Sequence, residues 1–144
     1  MNGKFTVLCG FLGTVWSVII GALGGWDTAV ISLIIFMAID FIMGLVCAIV
    51  FGKSDKSKNG GLSSAACWKG IAKKVGTLAL VIVAQRLDML IGTAYVRNAV
   101  IFAFCTAEVV SICEIAALMD ILPSSVQSVL TKALDVLKGK SEKK

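Results

Sequence analysis

Asp40, Arg86, Asp88, Glu108 and Glu114 are five ionisable residues set inside stretches otherwise apolar enough to span a bilayer. A charge at the bilayer centre costs roughly 2.5–3.5 kcal/mol on insertion scales. A chain that keeps such residues must pair them, turn them into a bundle interior or wet them. The constraint points to an all-α integral membrane protein whose function runs through helix–helix contacts or a polar path. Composition agrees: 58% of the 144 residues are hydrophobic and 16% are charged, against about 45–50% and 25% in soluble domains. A single Pro suits long uninterrupted helices.

The apolar pattern predicts about four transmembrane helices, arranged as two hairpins. The first runs over 5–23 and presents Gly10, Thr14, Ser17 and Gly21 along one narrow face. Small faces let backbones approach closely in lipid, where packing drives association. The same stretch could instead be a signal peptide, with Ala22-x-Gly24 as a small-residue cleavage site. A turn at Gly24-Gly25-Trp26-Asp27 leads to the second span, 28–51, which holds Asp40 and Gly44. The third runs from about 71 to 92 and the fourth from about 98 to 119, joined by a short connection.

Between the second and third spans, the segment 52–74 carries Lys53, Lys56, Lys58, Lys69, Lys73 and Lys74 against one acid, Asp55. Asn59-Gly60-Gly61 is a turn signal, and Ser63 or Ser64 offers an N-cap. These lysines read as a membrane-surface basic patch that anchors topology on anionic headgroups. Residues 1–122 thus form the transmembrane domain, and 123–144 an amphipathic helix with a basic tail. Val126, Val129, Leu130, Ala133, Leu134 and Leu137 form the apolar stripe of that helix. Four spans place both Lys-rich segments on one side, which the positive-inside rule assigns to the cytoplasm together with the N-terminus.

Counting depth at about 1.5 Å per residue puts Asp40 and Glu108 near mid-membrane, Arg86 somewhat further out and Glu114 towards the cytoplasm. Arg86 is therefore expected to pair with Glu108 or Asp40. Asp88 is close enough to the outer end to snorkel to water. Asp40, Arg86 and Glu108 are the leading candidates for holding helices or subunits together, with a water-lined path or a voltage- or proton-sensitive latch as the alternative reading.

Catalysis is not expected. The chain has no His, which removes the commonest general base and metal ligand, and it contains no P-loop and no nucleophile–base constellation. Cys9, Cys47, Cys67, Cys105 and Cys113 form no CxxC and read as small reduced hydrophobes. No metal site or cofactor is expected, and the net charge of +5 suits membrane orientation better than nucleic acid.

Several residue groups together resemble the phage holins of the toxin-secretion/phage-lysis type. They are Gly24-Gly25-Trp26-Asp27, Asp40 with Gly44, Asn59-Gly60-Gly61-Leu62-Ser63-Ser64, Trp68-Lys69-Gly70 with Lys73-Lys74, and Leu87-Asp88. The run Arg97-Asn98-Ala99-Val100-Ile101-Phe102, then Glu108, Ser111-Ile112, Glu114 and Leu122-Pro123, continues the likeness. The resemblance covers roughly residues 24–139. It implies a small bacterial cytoplasmic-membrane protein, encoded by a phage or prophage, that oligomerises and opens lesions for an endolysin or a large toxin. It also implies about three spans, one fewer than the charge pattern. Implied partners are the bilayer, further copies of the chain, and functionally an endolysin, a toxin or an antiholin. A small ion channel or transporter subunit and a non-conducting, antiholin-like regulator are the competing readings.

Overall fold

The computed structural model describes residues 3–56, 59–129, 132 and 136. Its four long helices are α1 (Gly3–Ala22), α2 (Thr28–Val46), α3 (Ser64–Ile91) and α4 (Tyr95–Leu118). A π-helical turn, Cys47–Phe51, prolongs α2. Among the described residues there is no strand.

The helices begin and end where side-chain chemistry requires. Asp27 caps α2 by accepting a hydrogen bond from the Val30 amide at 3.0 Å, which satisfies one of the orphan donors of a first turn. Ser63 occupies the N-cap position of α3, but its side chain makes no capping bond. Gly92 ends α3 in the left-handed region, its N–H returning to the Asp88 carbonyl. Only glycine adopts that backbone cheaply.

α2, α3 and α4 form the core. Each contributes one buried stripe at helical spacing: Val30, Leu33, Met37 and Asp40 on α2, Thr77, Val81, Ala84 and Asp88 on α3, and Arg97, Ile101 and Ile115 on α4. Leu23, Val30, Leu33, Met37, Val81 and Ile101 pack together as the central apolar layer. A smaller cluster of Cys47, Ile115 and Met119 lies towards the loop that joins α2 to α3. Gly44 lies between the two layers, where its α-carbon faces Ile115 of α4.

α1 stands apart. It has no buried residue along its length, and a methyl group added at Gly10, Gly13 or Gly21 would meet nothing within 4 Å. The small-residue face of Gly10, Thr14, Ser17 and Gly21 therefore has no neighbour among the described residues. Thr14 turns its hydroxyl back onto the Gly10 carbonyl at 2.9 Å. The connection to the core is the turn after α1, where Leu23 is buried and Trp26 stacks obliquely on Trp16 at 6.0 Å.

Three helical segments, Gly3–Ala22, Thr28–Phe51 and Tyr95–Leu118, are long and apolar enough to cross a bilayer. α3 is long enough at 28 residues, but Lys69, Lys73, Lys74, Arg86 and Asp88 leave it no segment of comparable apolarity. Of the four expected spans, three fall on apolar helices and the fourth on this polar-studded helix. α3 begins at Ser64, where the Ser63-Ser64 signal predicts a helix start, so 64–70 are already helical before the expected span from about 71. The expected amphipathic helix after Pro123 falls mostly outside the described residues. Residues 124–129 are helical, with Val126 and Val129 exposed, while Leu130, Ala133, Leu134 and Leu137 lie outside the description, as does Lys58 of the basic patch.

Gly24 has a φ of +89°, and a methyl group there would collide with the Gln85 side-chain carbonyl and sit 2.8 Å from Arg97 Nε. A non-glycine residue in left-handed backbone costs roughly 1–2 kcal/mol before any clash. Gly24→Ala is expected to destabilise the purified protein by at least about that much, read as a lower thermal midpoint in detergent. Gly25→Ala, which has a positive φ but open space around it, should cost less.

Candidate functional site

Two polar knots interrupt the apolar core, one at each end of the central layer. The first joins α2, α3 and α4 through a shared ammonium group. Lys74 Nζ lies 2.9 Å from Asp40 Oδ2 and 2.7 Å from Glu108 Oε2. Ser111, one turn beyond Glu108 on α4, donates its hydroxyl to the other oxygen of Asp40 at 2.5 Å. The side chains of Lys74, Asp40 and Glu108 are 17%, 8% and 15% exposed, so all three are largely withdrawn from their surroundings.

Helix geometry explains why these residues meet. Asp40 is about 18 Å along α2 from Thr28, and Glu108 about 20 Å along α4 from Tyr95. The two helices run the same way from the same end of the bundle, so the carboxylates arrive at similar depth. α3 runs oppositely and presents Lys74 from the other end, its long stem crossing the gap.

The second knot closes the end where α1 turns into α2 and α3 into α4. Asp88 is 2% exposed. It accepts hydrogen bonds from the Thr93 hydroxyl at 2.6 Å and from the Val96 and Arg97 amides at 3.0 and 2.8 Å. The acid at the end of α3 thereby satisfies first-turn amides of α4. Arg97 extends from this point across the bundle, donating to the Leu23 carbonyl at 2.6 Å and pairing with Asp27 at 2.7 Å. Asp27 thus caps α2 and holds Arg97 at the same time. The Arg97 guanidinium, which hydrogen-bonds Asp27, holds its carboxyl below the usual 3.8 despite the opposing effect of partial burial. Arg97 Nη2 is buried without a hydrogen-bond partner.

Three expectations are corrected here. Arg86 does not pair with Asp40 or Glu108: it is exposed and reaches only Met89 Sδ, at 3.7 Å. It lies twelve residues beyond Lys74, about 18 Å along α3 and rotated by about 120°, beyond the reach of its stem. Asp88 does not snorkel to water but is buried and fully engaged. Lys74 is not exposed like the other described lysines of the expected basic patch: it is the cation shared by Asp40 and Glu108. Lys53, Lys56, Lys69 and Lys73 are exposed, and Lys53 pairs with Asp120 at 2.8 Å. Glu114 is half-buried beside Ser111 and the loop residues Asp55 and Lys56.

Sequence reasoning passed over Asp27 and Arg97 as a pair, and Lys74 as a buried cation. The signals were present: an Asp immediately before an apolar helix, and an Arg in the first turn of another at the same end. Among the described residues, no group of His, Cys, Asp and Glu is arranged to hold a metal ion.

Residues 17–139, most of the chain, match the model of the bacteriophage holin family. The chain belongs to the bacteriophage holin family. It is also similar to an uncharacterized protein of Listeria monocytogenes, 34% identical over 98% of this chain and 92% of the relative. A second uncharacterized protein, from Listeria innocua, is 34% identical over 84% of this chain and 81% of its own length. A Clostridium acetobutylicum protein, also uncharacterized, is 33% identical over 63% of this chain and 68% of its own. No solved structure matches the chain. Family membership and the apolar helices mark it as a holin-type membrane protein, and the holin family is not an enzyme family.

The two knots generate separate expectations. Lys74→Met leaves two carboxylates facing each other without their cation, and breaking a buried pair costs about 3–5 kcal/mol. Thermal unfolding in detergent should show a loss near the lower figure, because the cluster is not fully enclosed, and Arg86→Met should show almost none. Asp88→Ala strips the acceptor from the Thr93 hydroxyl and two amides and should cost at least about 2 kcal/mol, so it should rank with Asp40→Ala.

Asp27 predicts a pH dependence. Its native pKa is lowered, so its stabilising contribution is complete above the unfolded value of 3.8 and is lost as pH falls through the lower native value. Asp27→Asn should flatten that acid limb in stability measured against pH.

Proposed function

We propose that this protein is a holin that assembles with further copies of itself in the bacterial cytoplasmic membrane and opens lesions there. Through those lesions an endolysin, or a large toxin, would cross. The observation that carries the reading is the combination of a charge-knotted three-helix core with α1, a membrane-length apolar helix that buries none of its residues against the described part of the chain. The knots hold one protomer together, while α1 leaves a helix-long surface for lipid or for another copy. Short turns, exposed lysines beside the helices and membership of the holin family support the same reading.

In this arrangement α3 crosses the bilayer as a fourth helix. Lys74 and Asp88 have their partners inside the bundle, which lowers the cost of placing them there. Arg86, about five residues from the end of α3, can extend its head towards the interface. Lys53, Lys56, Lys69 and Lys73 then lie on the cytoplasmic side with the Lys-rich tail, and both termini face the cytoplasm. At the opposite end, Arg97 is neutralised by Asp27. Wetting of a lesion would require the Asp40–Lys74–Glu108 cluster to come apart and turn its polar groups towards water.

Induced expression in a bacterium with a co-expressed cytoplasmic endolysin tests this. Depolarisation followed by abrupt lysis is expected, and Lys74→Met should shift the lysis time. Intact potential and no endolysin release at normal expression would overturn the proposal. Escape of ions without larger tracers would favour a channel of fixed size. Phosphatase fusions after residues 61 and 94 should report cytoplasmic and external positions respectively, and equal signals would remove α3 from the membrane.

A further inference from the structure

We propose that the space beneath loop residues 52–56 and 59–63 is a one-sided water path that brings protons from the cytoplasmic face to the Asp40–Lys74–Glu108 cluster. It rests on the membrane-crossing reading above, but not on lysis.

Two cavities lie between that loop and the helices. One, of about 60 Å³, is lined by Asp40, Phe41, Gly44, Lys56, Ser63 and Lys74 among others. The other, of about 80 Å³, is bounded by Gly44, Cys47, Ser54, Lys56, Ser111 and Glu114. Gly44, Ser54 and Lys56 border both, so the two spaces adjoin across a position that has no side chain. A cavity needs only about 10–15 Å³ to hold one water, and it fills when two to four polar partners surround it. Both cavities exceed that volume, and Ser54, Lys56, Ser111 and the cluster supply the partners.

The path ends at the cluster. On its far side, past Thr77 one turn from Lys74, Val30, Leu33, Val81 and Ile101 are at most 2% exposed and wholly apolar, so water has no continuation towards the turn end. The cluster has two carboxylates and one ammonium, so it carries one net negative charge when ionised, and one proton neutralises it. Among the described residues, the other charged or titratable groups facing it are Lys56 from the loop, whose charge acts on Asp40, Cys67 of α3 across the first cavity, Cys105 beside Glu108 on α4, and Glu114 with Asp55 across the second cavity. Protonation of either acid removes one of the two links through which Lys74 joins α3 to α2 and α4. A proton arriving from the cytoplasm would therefore loosen the core where the helices are knotted.

Silver ion is a small, water-borne probe that reacts with thiolates. In a background with the native cysteines replaced by Ala or Ser, single cysteines are introduced as Gly44→Cys, Ile42→Cys and Val81→Cys. A methyl group at Gly44 meets only Ile115 Cδ1, at 3.9 Å, so the first variant fits the space. Ile42 is at similar depth but faces outward, 58% exposed, and Val81 lies beyond the cluster. The purified chains are reconstituted in oriented vesicles, with retention of a trapped dye showing that the bilayer is sealed. Gly44→Cys should react at least tenfold faster than both others, and only with silver added on the loop side. Equal protection of all three, or equal reaction from both sides of sealed vesicles, would overturn the proposal. Failure of lysis in cells would bear on the function above and leave this result unchanged.

The proton is tested by Glu108→Gln, which keeps Lys74 paired with Asp40 and makes the cluster neutral. Acidifying the loop side should raise a protonated-carboxyl infrared band in the native protein that is missing from the variant once the bands common to both are subtracted. The same band in both would assign it elsewhere and refute the cluster as the proton site.

Discussion

Lys74 is the group on which the packing of the three core helices depends. It comes from the one long helix that is not apolar enough to cross a bilayer by composition, and it meets an acid from each of the other two. Alone, any of the three side chains would be expensive in an apolar interior. Together they cancel most of their charge and tie α3 to α2 and α4 at a single depth. The register of the bundle follows, because sliding one helix by a turn would part the ammonium from both acids.

The second knot works by different chemistry. Asp88 acts as an external cap, supplying to the first turn of α4 the acceptors that α4 itself lacks. Arg97 is then placed to gather the Leu23 carbonyl and Asp27, which joins the two helix–helix turns at that end. Between the knots the core is apolar apart from Thr77, and its small size reflects the bilayer: most of the large hydrophobic side chains point outward. That is the expected inversion when lipid, rather than water, is the solvent. In lipid, specificity falls to polar contacts and close packing.

α1 shows what such a core leaves open. It is apolar on all sides and held by the turn that follows it, with Leu23 as its buried foothold. The bundle therefore separates a charge-registered part from a helix that no described residue covers along its length. The proposed assembly would use both: a protomer stable enough to accumulate and a surface through which protomers or lipid can meet.

Much of this was legible from residue order alone. Apolar stretches bounded by Gly, Asp and Pro placed the helices, because length and hydropathy are local properties, and the embedded acids marked where polar contacts had to form. Asp40 and Glu108 could be set at similar depth by counting the rise per residue. Which cation they shared could not be read that way. Arg86 is nearer by a simple ruler, but helical rotation carries it to an outer face, whereas Lys74 looked like one member of a basic surface patch. Asp88 and Arg97 show the same limit, since burial there depends on how tightly the α3–α4 turn folds back. The sequence by itself determined the helical class, the membrane character and the positions of the embedded charges. Only the tertiary structure decided their partners, because pairing depends on helix rotation and crossing, which no single helix carries in its own residues.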